Sequence, residues 1–381
     1  LISQFFRVEI GHCLRSKSSE LLKNLQIPAN FVKNVSVKAL KIIGLLLAGL
    51  VVLYLLGPKP APPQLKAGLP NLTAQLNTLA DSIAEAEQQV PNLKPNNEAR
   101  IIWADSLPQR TEYALVYLPG FTATYVEGDP LHREFAARYG CNLYVARWRD
   151  HGLDVENKLL YYHPDSVLET AAHALAVGHR IGKKVILMST STGGTLSLLL
   201  AAQYPALVDG IVAYSPNIRI KSESAKVLTM PWGLQIARRM VGGTHRNFEA
   251  EEEFKKYWYN RYRLEGLVQL QNLVEHGMVP STFAAVEAPF FLGYFYKNDS
   301  IQDQVVSVPA MLDMYKQLGT TEALKRKVAF PNVANHALAS YVGSEDLDQV
   351  RQATFQFAEE VLKLKPILEK SPARSAVQKP E

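Results

Sequence analysis

The chain has 381 residues, a formal net charge of +5, and 47% apolar and 20% charged residues. That is the balance of a globular protein long enough for one large domain or two, able to bury a core without staples. Two cysteines, Cys13 and Cys141, exclude a disulfide framework and a zinc site built from several thiolates. Residues 1–56 hold seven Lys/Arg against two Asp/Glu, the whole formal excess. A nucleic-acid footprint needs a basic face on the folded domain; the one tight basic run in the neutral remainder, Lys325-Arg326-Lys327, reads as a solvated surface patch, and no nucleic-acid partner is expected.

The chain begins on Leu1, and residues 1–36 show no domain-like pattern. They are expected to be an extension that need not belong to the native protein. Ile42 to Leu56 reads IIGLLLAGLVVLYLL, fifteen residues without a charge. Extended back to Val37, a helix here is about 30 Å long, the thickness of a bilayer's hydrocarbon core. Lys38 and Lys41 then snorkel to the interface. A buried soluble helix would carry a polar stripe, and Gly57-Pro58-Lys59-Pro60 lacks a signal-peptide cleavage pattern. Residues 37–57 are thus expected to be a single-pass transmembrane anchor. A signal peptide and a buried helix are the alternatives. Lys23, Lys33, Lys38 and Lys41 precede the span, while Lys59 and Lys66 follow it. This bias places the N-terminus inside and the large domain on the extracytoplasmic side.

Residues 58–99 open with Pro58-Lys59-Pro60-Ala61-Pro62-Pro63, a stiff extended linker. Leu72, Leu76, Leu79, Ile83 and Val90 then recur at helical spacing, with Asn71 as cap and Pro91 as stop. A folded domain is expected over 100–363. Strand-like runs at 100–104, 113–118, 142–147, 184–188, 210–214, 290–296 and 327–330 are spaced by helical stretches at 130–139, 165–181, 193–203, 308–318 and 346–363. Such apolar runs separated by helices imply an α/β fold with a mostly parallel sheet covered on both faces. Ligands bind such sheets at the carboxyl ends of the strands. The tail, 364–381, has the composition of a disordered end.

The sharpest local signal is Ser189-Thr190-Ser191-Thr192-Gly193-Gly194, between an apolar strand and a helix. A small-x-Ser-x-Gly turn of this kind forces its serine into a strained backbone and projects the hydroxyl at a helix N-terminus. No Lys-Ser/Thr follows the glycines, which excludes a phosphate-binding loop. The plain alternative is a serine-rich helix cap. Leu118-Pro119-Gly120-Phe121-Thr122 follows an early strand, where Phe121 and Thr192 are positioned to offer backbone N–H groups to an oxyanion. Asp299 and Asp303 follow a late strand, either able to orient a histidine, with Asp303 preferred. His336, in a loop after the last strand, is the candidate base. The order Ser, Asp, His is one in which this constellation occurs. No metal-binding histidine pair is apparent, and no metal or cofactor is expected.

On these motifs the chain resembles the α/β-hydrolase superfamily over roughly residues 100–363, and within it the branch of monoacylglycerol lipases and related esterases. Trp148-Arg149-Asp150-His151-Gly152-Leu153 is similar to that branch's His-Gly loop, which makes His151 structural or pocket-lining. Ser189 stands where family members have glycine. The resemblance implies a helical cap over about 216–289, and residues 249–276 are rich in Tyr, Trp, Leu and charge. It also implies a serine hydrolase of a carboxylic ester, small or lipid-like, acting through Ser191, His336 and Asp303. The same triad serves thioesterases, peptidases and acyltransferases, and Ser189 leaves open an inactive, tethered binding protein.

Overall fold

Apolar, β-branched and aromatic runs separated by one-sided helices close into a single mostly parallel sheet. The molecule is described by a computed structural model over residues 37–367; the expected extension 1–36 and residues 368–381 of the tail lie outside the described residues. In chain order the elements begin with α1 (Val37–Leu55), α2 (Leu76–Gln88), β1 (Arg100–Ile102), β2 (Thr111–Leu118), α3 (Leu131–Tyr139) and β3 (Asn142–Val145). Next come α4 (Pro164–Ile181), β4 (Gly182–Thr190), α5 (Thr192–Gln203), β5 (Gly210–Tyr214), α6 (Gly233–Val241), β6 (His245–Asn247) and α7 (Glu252–Tyr257). The chain continues through β7 (Arg261–Arg263), α8 (Leu264–Gly277), α9 (Pro280–Ala284), β8 (Phe290–Phe295), α10 (Val308–Gln317), β9 (Lys325–Phe330) and α11 (Leu347–Glu360).

The main sheet has the order β1-β3-β2-β4-β5-β8-β9. All its neighbours are parallel except β1 with β3. Side chains alternate across it as a pleated strand requires. Ala114, Val116 and Leu118 of β2 join the core under α4 and α5, while Leu115 and Tyr117 join the one under α3 and α11. The chain leaves β2 toward β3 on one side and leaves β4 toward β5 on the other. The winding thus switches between β2 and β4, and the crevice beyond their carboxyl ends is where such a sheet takes a ligand. The register pairs Leu118 with Ser189 there.

Between β5 and β8 the insertion over 216–289 carries α6 to α9, as expected of a helical cap, and also a small antiparallel ribbon. That ribbon pairs His245 with Arg263 and Asn247 with Arg261. The two strands read His-Arg-Asn and Arg-Tyr-Arg, with no apolar run between them, so nothing in the sequence announces them.

Residues 58–99 lie along the domain. Asp165 accepts the amides of Gln64 (3.3 Å) and Leu65 (2.7 Å), and Gln203 accepts that of Ala67 (3.4 Å). These bonds hold the chain extended, and α2 begins at Leu76 rather than after the Asn71 cap that the spacing implies. Leu79 and Ile83 are buried in the sheet's core. Glu87 of α2 accepts Arg147 Nε (2.6 Å) and Nη2 (2.9 Å), and also the Ala99 amide (3.0 Å). Arg147 is buried and Glu87 is mostly covered, so removing the carboxylate strands the guanidinium. Glu87→Ala is expected to lower stability by about 3 kcal/mol, read as a lower denaturation midpoint. At the other end, the Ile367 amide donates to the Arg138 carbonyl (2.9 Å).

Candidate active site

Strand β4 hands over to α5 through a single residue, Ser191, at φ 55° and ψ −118°. A side chain at positive φ is strained and persists only where its surroundings hold it. Here its amide donates to the Tyr214 carbonyl (3.0 Å), and its carbonyl accepts the amides of Gly194 (2.9 Å), Thr195 (3.3 Å) and Asn217 (2.9 Å). Gly193 permits the close approach: a Cβ there would lie 1.9 Å from the Leu118 carbonyl oxygen. Helix α5 therefore sits directly on the end of β2. Ser189, where the resembled family has glycine, remains inside strand β4, and its hydroxyl faces the Val212 carbonyl at 3.5 Å. The left-handed strain falls on Ser191, so the elbow does not need a glycine at 189.

The loop after β2 lies against Ser191. A Cβ on Gly120 would come within 3.0 Å of the Ser191 Cβ. Among the described residues, the amides of Phe121 and Thr192 donate to no protein acceptor. The next amide, Thr122, donates to His151 Nε2 at 3.0 Å. Burial, with Arg147 beside it, pushes the His151 pKa down to about 3. The ring is thus a neutral acceptor that fixes the loop. Arg147 in turn bonds the carbonyls of Trp148 (3.1 Å), Arg149 (3.1 Å) and His151 (3.2 Å). The Phe121 ring packs edge-on against Tyr162 and Tyr262, at centroid distances of 5.1 and 5.5 Å.

His336 and Asp303 meet. His336 Nδ1 lies 2.7 Å from Asp303 Oδ2. Asp303 Oδ1 accepts the amides of Val305 (2.8 Å) and Val306 (3.0 Å). Burial works against its charge, but His336 and those amides hold the carboxyl below the usual carboxylate range. Burial equally disfavours the imidazolium, yet Asp303, and behind it Glu127, raises the His336 pKa above its ordinary value. His336 Nε2 is buried without a partner among the described residues. It borders the same cavity as Ser191. Asp299 stands apart: it is exposed and accepts the Tyr296 hydroxyl at 2.8 Å.

The cavity walls are apolar, built from Phe121 and Val305 on the domain and from Phe248, Phe254, Trp258 and Leu270 on the cap. Asn217, Arg246 and Glu127 supply polar edges. Neither Glu127 nor Arg147 carries a motif in the sequence. Each is a lone charge whose partner comes from a distant segment. Among the described residues no group of three or more His, Cys, Asp or Glu side chains is arranged to hold a metal ion.

The sequence matches a family model described as Serine aminopeptidase, S33, over residues 109–286. No curated protein sequence matches. Among solved structures, one reported for LipS and LipT, two metagenome-derived lipolytic enzymes, is 17% identical with a TM-score of 0.55, covering 70% of this chain and 98% of that one. The monoacylglycerol lipase of Paleococcus ferrophilus is 14% identical with a TM-score of 0.51, covering 68% and 96%. DcsB, solved in complex with its substrate analogue, is 17% identical with a TM-score of 0.50, covering 72% and 99%. Identities this low carry the fold alone. Sheet order and these likenesses show that the chain has the α/β-hydrolase fold.

Proposed function

We propose that the protein is a serine hydrolase that cleaves carboxylic esters through an acyl-enzyme. Ser191 attacks the ester carbonyl as His336 Nε2 takes its proton. Asp303 holds Nδ1–H and stabilises the imidazolium. The oxyanion is received by the amides of Phe121 and Thr192, which have no other acceptor among the described residues. His336 then protonates the leaving alcohol, and water activated by the same imidazole releases the acid. The observation that carries this reading is the pairing of a strained Ser191 with an Asp303-bound His336 on one cavity.

The apolar walls suit an uncharged acyl chain or alcohol. The test is initial-rate hydrolysis of a panel of aryl acyl esters, acyl thioesters and aminoacyl arylamides, with an added alcohol as competing acceptor. Esters turned over fastest, with water as acceptor, are expected. Preference for the arylamides would favour a peptidase, as the description of the matched family suggests.

The proposal includes membrane anchoring by α1, whose Lys38–Leu55 stretch is long and apolar enough to cross a membrane. Its far end meets the cap. Trp232 Nε1 donates to the Leu53 carbonyl (3.2 Å) and its amide to that of Pro58 (2.9 Å). Met230, Ile236, Met240 and Val241 on that cap segment are exposed. An indole beside exposed apolar side chains suits a membrane–water interface. The lysine bias assigns the domain to the extracytoplasmic side. Removing residues 1–57 is expected to give a protein that stays in solution without detergent and keeps its ester turnover, checked by sedimentation and initial rates. Aggregation of the shortened protein would instead place α1 in the core.

A further inference from the structure

Glu127 is a buried carboxylate outside the Ser191–His336–Asp303 line. It lies in the 3-10 turn Tyr125–Gly128, just after the loop beside Ser191, and is only 3% exposed. Its side chain borders the cavity shared by Ser191 and His336. The Gly120 amide donates to its Oε2 at 2.5 Å. A Cβ on Gly120 would lie 2.9 Å from both carboxylate oxygens and 3.0 Å from the Ser191 Cβ. The carboxylate and the candidate nucleophile therefore flank a single point. A carboxylate buried in an apolar wall is unfavourable unless its charge is met. Here it is met by the Gly120 and Trp258 N–H groups and by His336.

We propose that Glu127 is a positioning residue of the hydrolytic site. It clamps the Gly120 amide, and so the Gly120-Phe121-Thr122 segment that carries one oxyanion donor, and its charge supports the imidazolium of His336. The proposal rests on the reading of Ser191 and His336 given above.

The imidazole is under the influence of two carboxylates. Asp303 bonds Nδ1, and Glu127 acts from the cavity side. When His336 takes the serine proton it becomes positive, and both carboxylates stabilise it. A full negative charge on Glu127 also repels the oxyanion, but the Gly120 and Trp258 N–H groups draw on that charge. The clamp sets the loop from its Gly120 end while His151 sets it from Thr122, which leaves the Phe121 amide between them. The groups facing Glu127 are few. His336 comes from the loop after β9. Tyr117 comes from β2, and burial keeps it a neutral phenol. Arg246 of the cap borders the same cavity. Burial raises the Glu127 pKa to about 7, against the lowering effects of His336 and the two N–H groups. Glu127 and His336 therefore titrate as a pair. An ionised Glu127 favours the imidazolium and holds the acid limb of kcat/KM at higher pH. Its neutralisation must move that limb down.

The test is the pH profile of kcat and KM for a short aryl ester, with the full chain in detergent, for wild type, Glu127→Gln, Glu127→Leu and Ser191→Ala. Glutamine keeps an acceptor for Gly120 but no charge. Its acid limb is expected to fall by about half a pH unit or more, with kcat within about tenfold of wild type. Leucine removes both roles, and kcat is expected to fall by about 100-fold, the scale of a lost oxyanion donor, with KM nearly unchanged. Recovery of most of kcat by glutamine separates the clamp from the charge. An unmoved acid limb in Glu127→Gln overturns the proposal, and that readout decides even if Glu127→Leu does not fold. Turnover surviving Ser191→Ala overturns instead the reading beneath it.

Discussion

Ser191→Ala is expected to lower ester turnover by about 10⁶-fold with the fold intact. Two properties of the site separate these effects. The backbone at 191 is held by four main-chain hydrogen bonds that alanine retains. The strained φ is no worse for alanine than for serine. What disappears is the oxygen that, on the proposed mechanism, attacks the ester carbonyl. On the same mechanism the amides and the cavity are left in place, so residual hydrolysis of about 10³-fold over water is expected. The measurement is single-turnover and steady-state rates beside circular dichroism. Wild-type rates in the variant would move the nucleophile elsewhere, and Ser189 would be the first to replace.

Asp303→Asn is expected to cost about 10⁴-fold in kcat, and Asp299→Asn to leave kcat within about threefold. An asparagine oxygen can still accept the Val305 and Val306 amides, which directs its NH₂ group at His336 Nδ1. That nitrogen must then be the acceptor, the proton moves to Nε2, and the ring can no longer take a proton from Ser191. The Asp299 carboxylate accepts the Tyr296 hydroxyl at the surface, away from His336. The comparison is a pair of pH–rate profiles. A larger loss in Asp299→Asn would transfer the acid role to that residue. In wild type, kcat/KM is expected to fall as pH drops through the raised His336 pKa, because protonation removes the base.

The alternation of apolar strands with helices is legible from Arg100 onward because each buried strand must be apolar on both faces, and β5 spans the same residues, 210–214, in sequence and structure. The elbow at Ser191 is legible for a local reason, since only small residues fit between a strand and a helix that touch. The meeting of Asp303 with His336 is less so, because both acids sit on one loop. The choice depends on Asn298, whose Oδ1 accepts the amides of Ser300 (3.0 Å) and Ile301 (2.9 Å) and reverses the chain between them. Glu127 and the Glu87–Arg147 pair are illegible for a different reason. Their meaning lies in partners brought together only by packing, and nothing in a lone charge names its partner. The same holds for Gln64 to Ala67, whose bonds to Asp165 and Gln203 lay the chain along the domain just after the Pro-rich stretch that reads as a stiff extended linker.

The most direct test of an activated Ser191 is labelling of the full chain in detergent with a fluorophosphonate, followed by peptide mapping. One adduct is expected, on Ser191, lost in Ser191→Ala and strongly slowed in His336→Ala. A folded chain that takes no label, or takes it on another serine, would contradict the account.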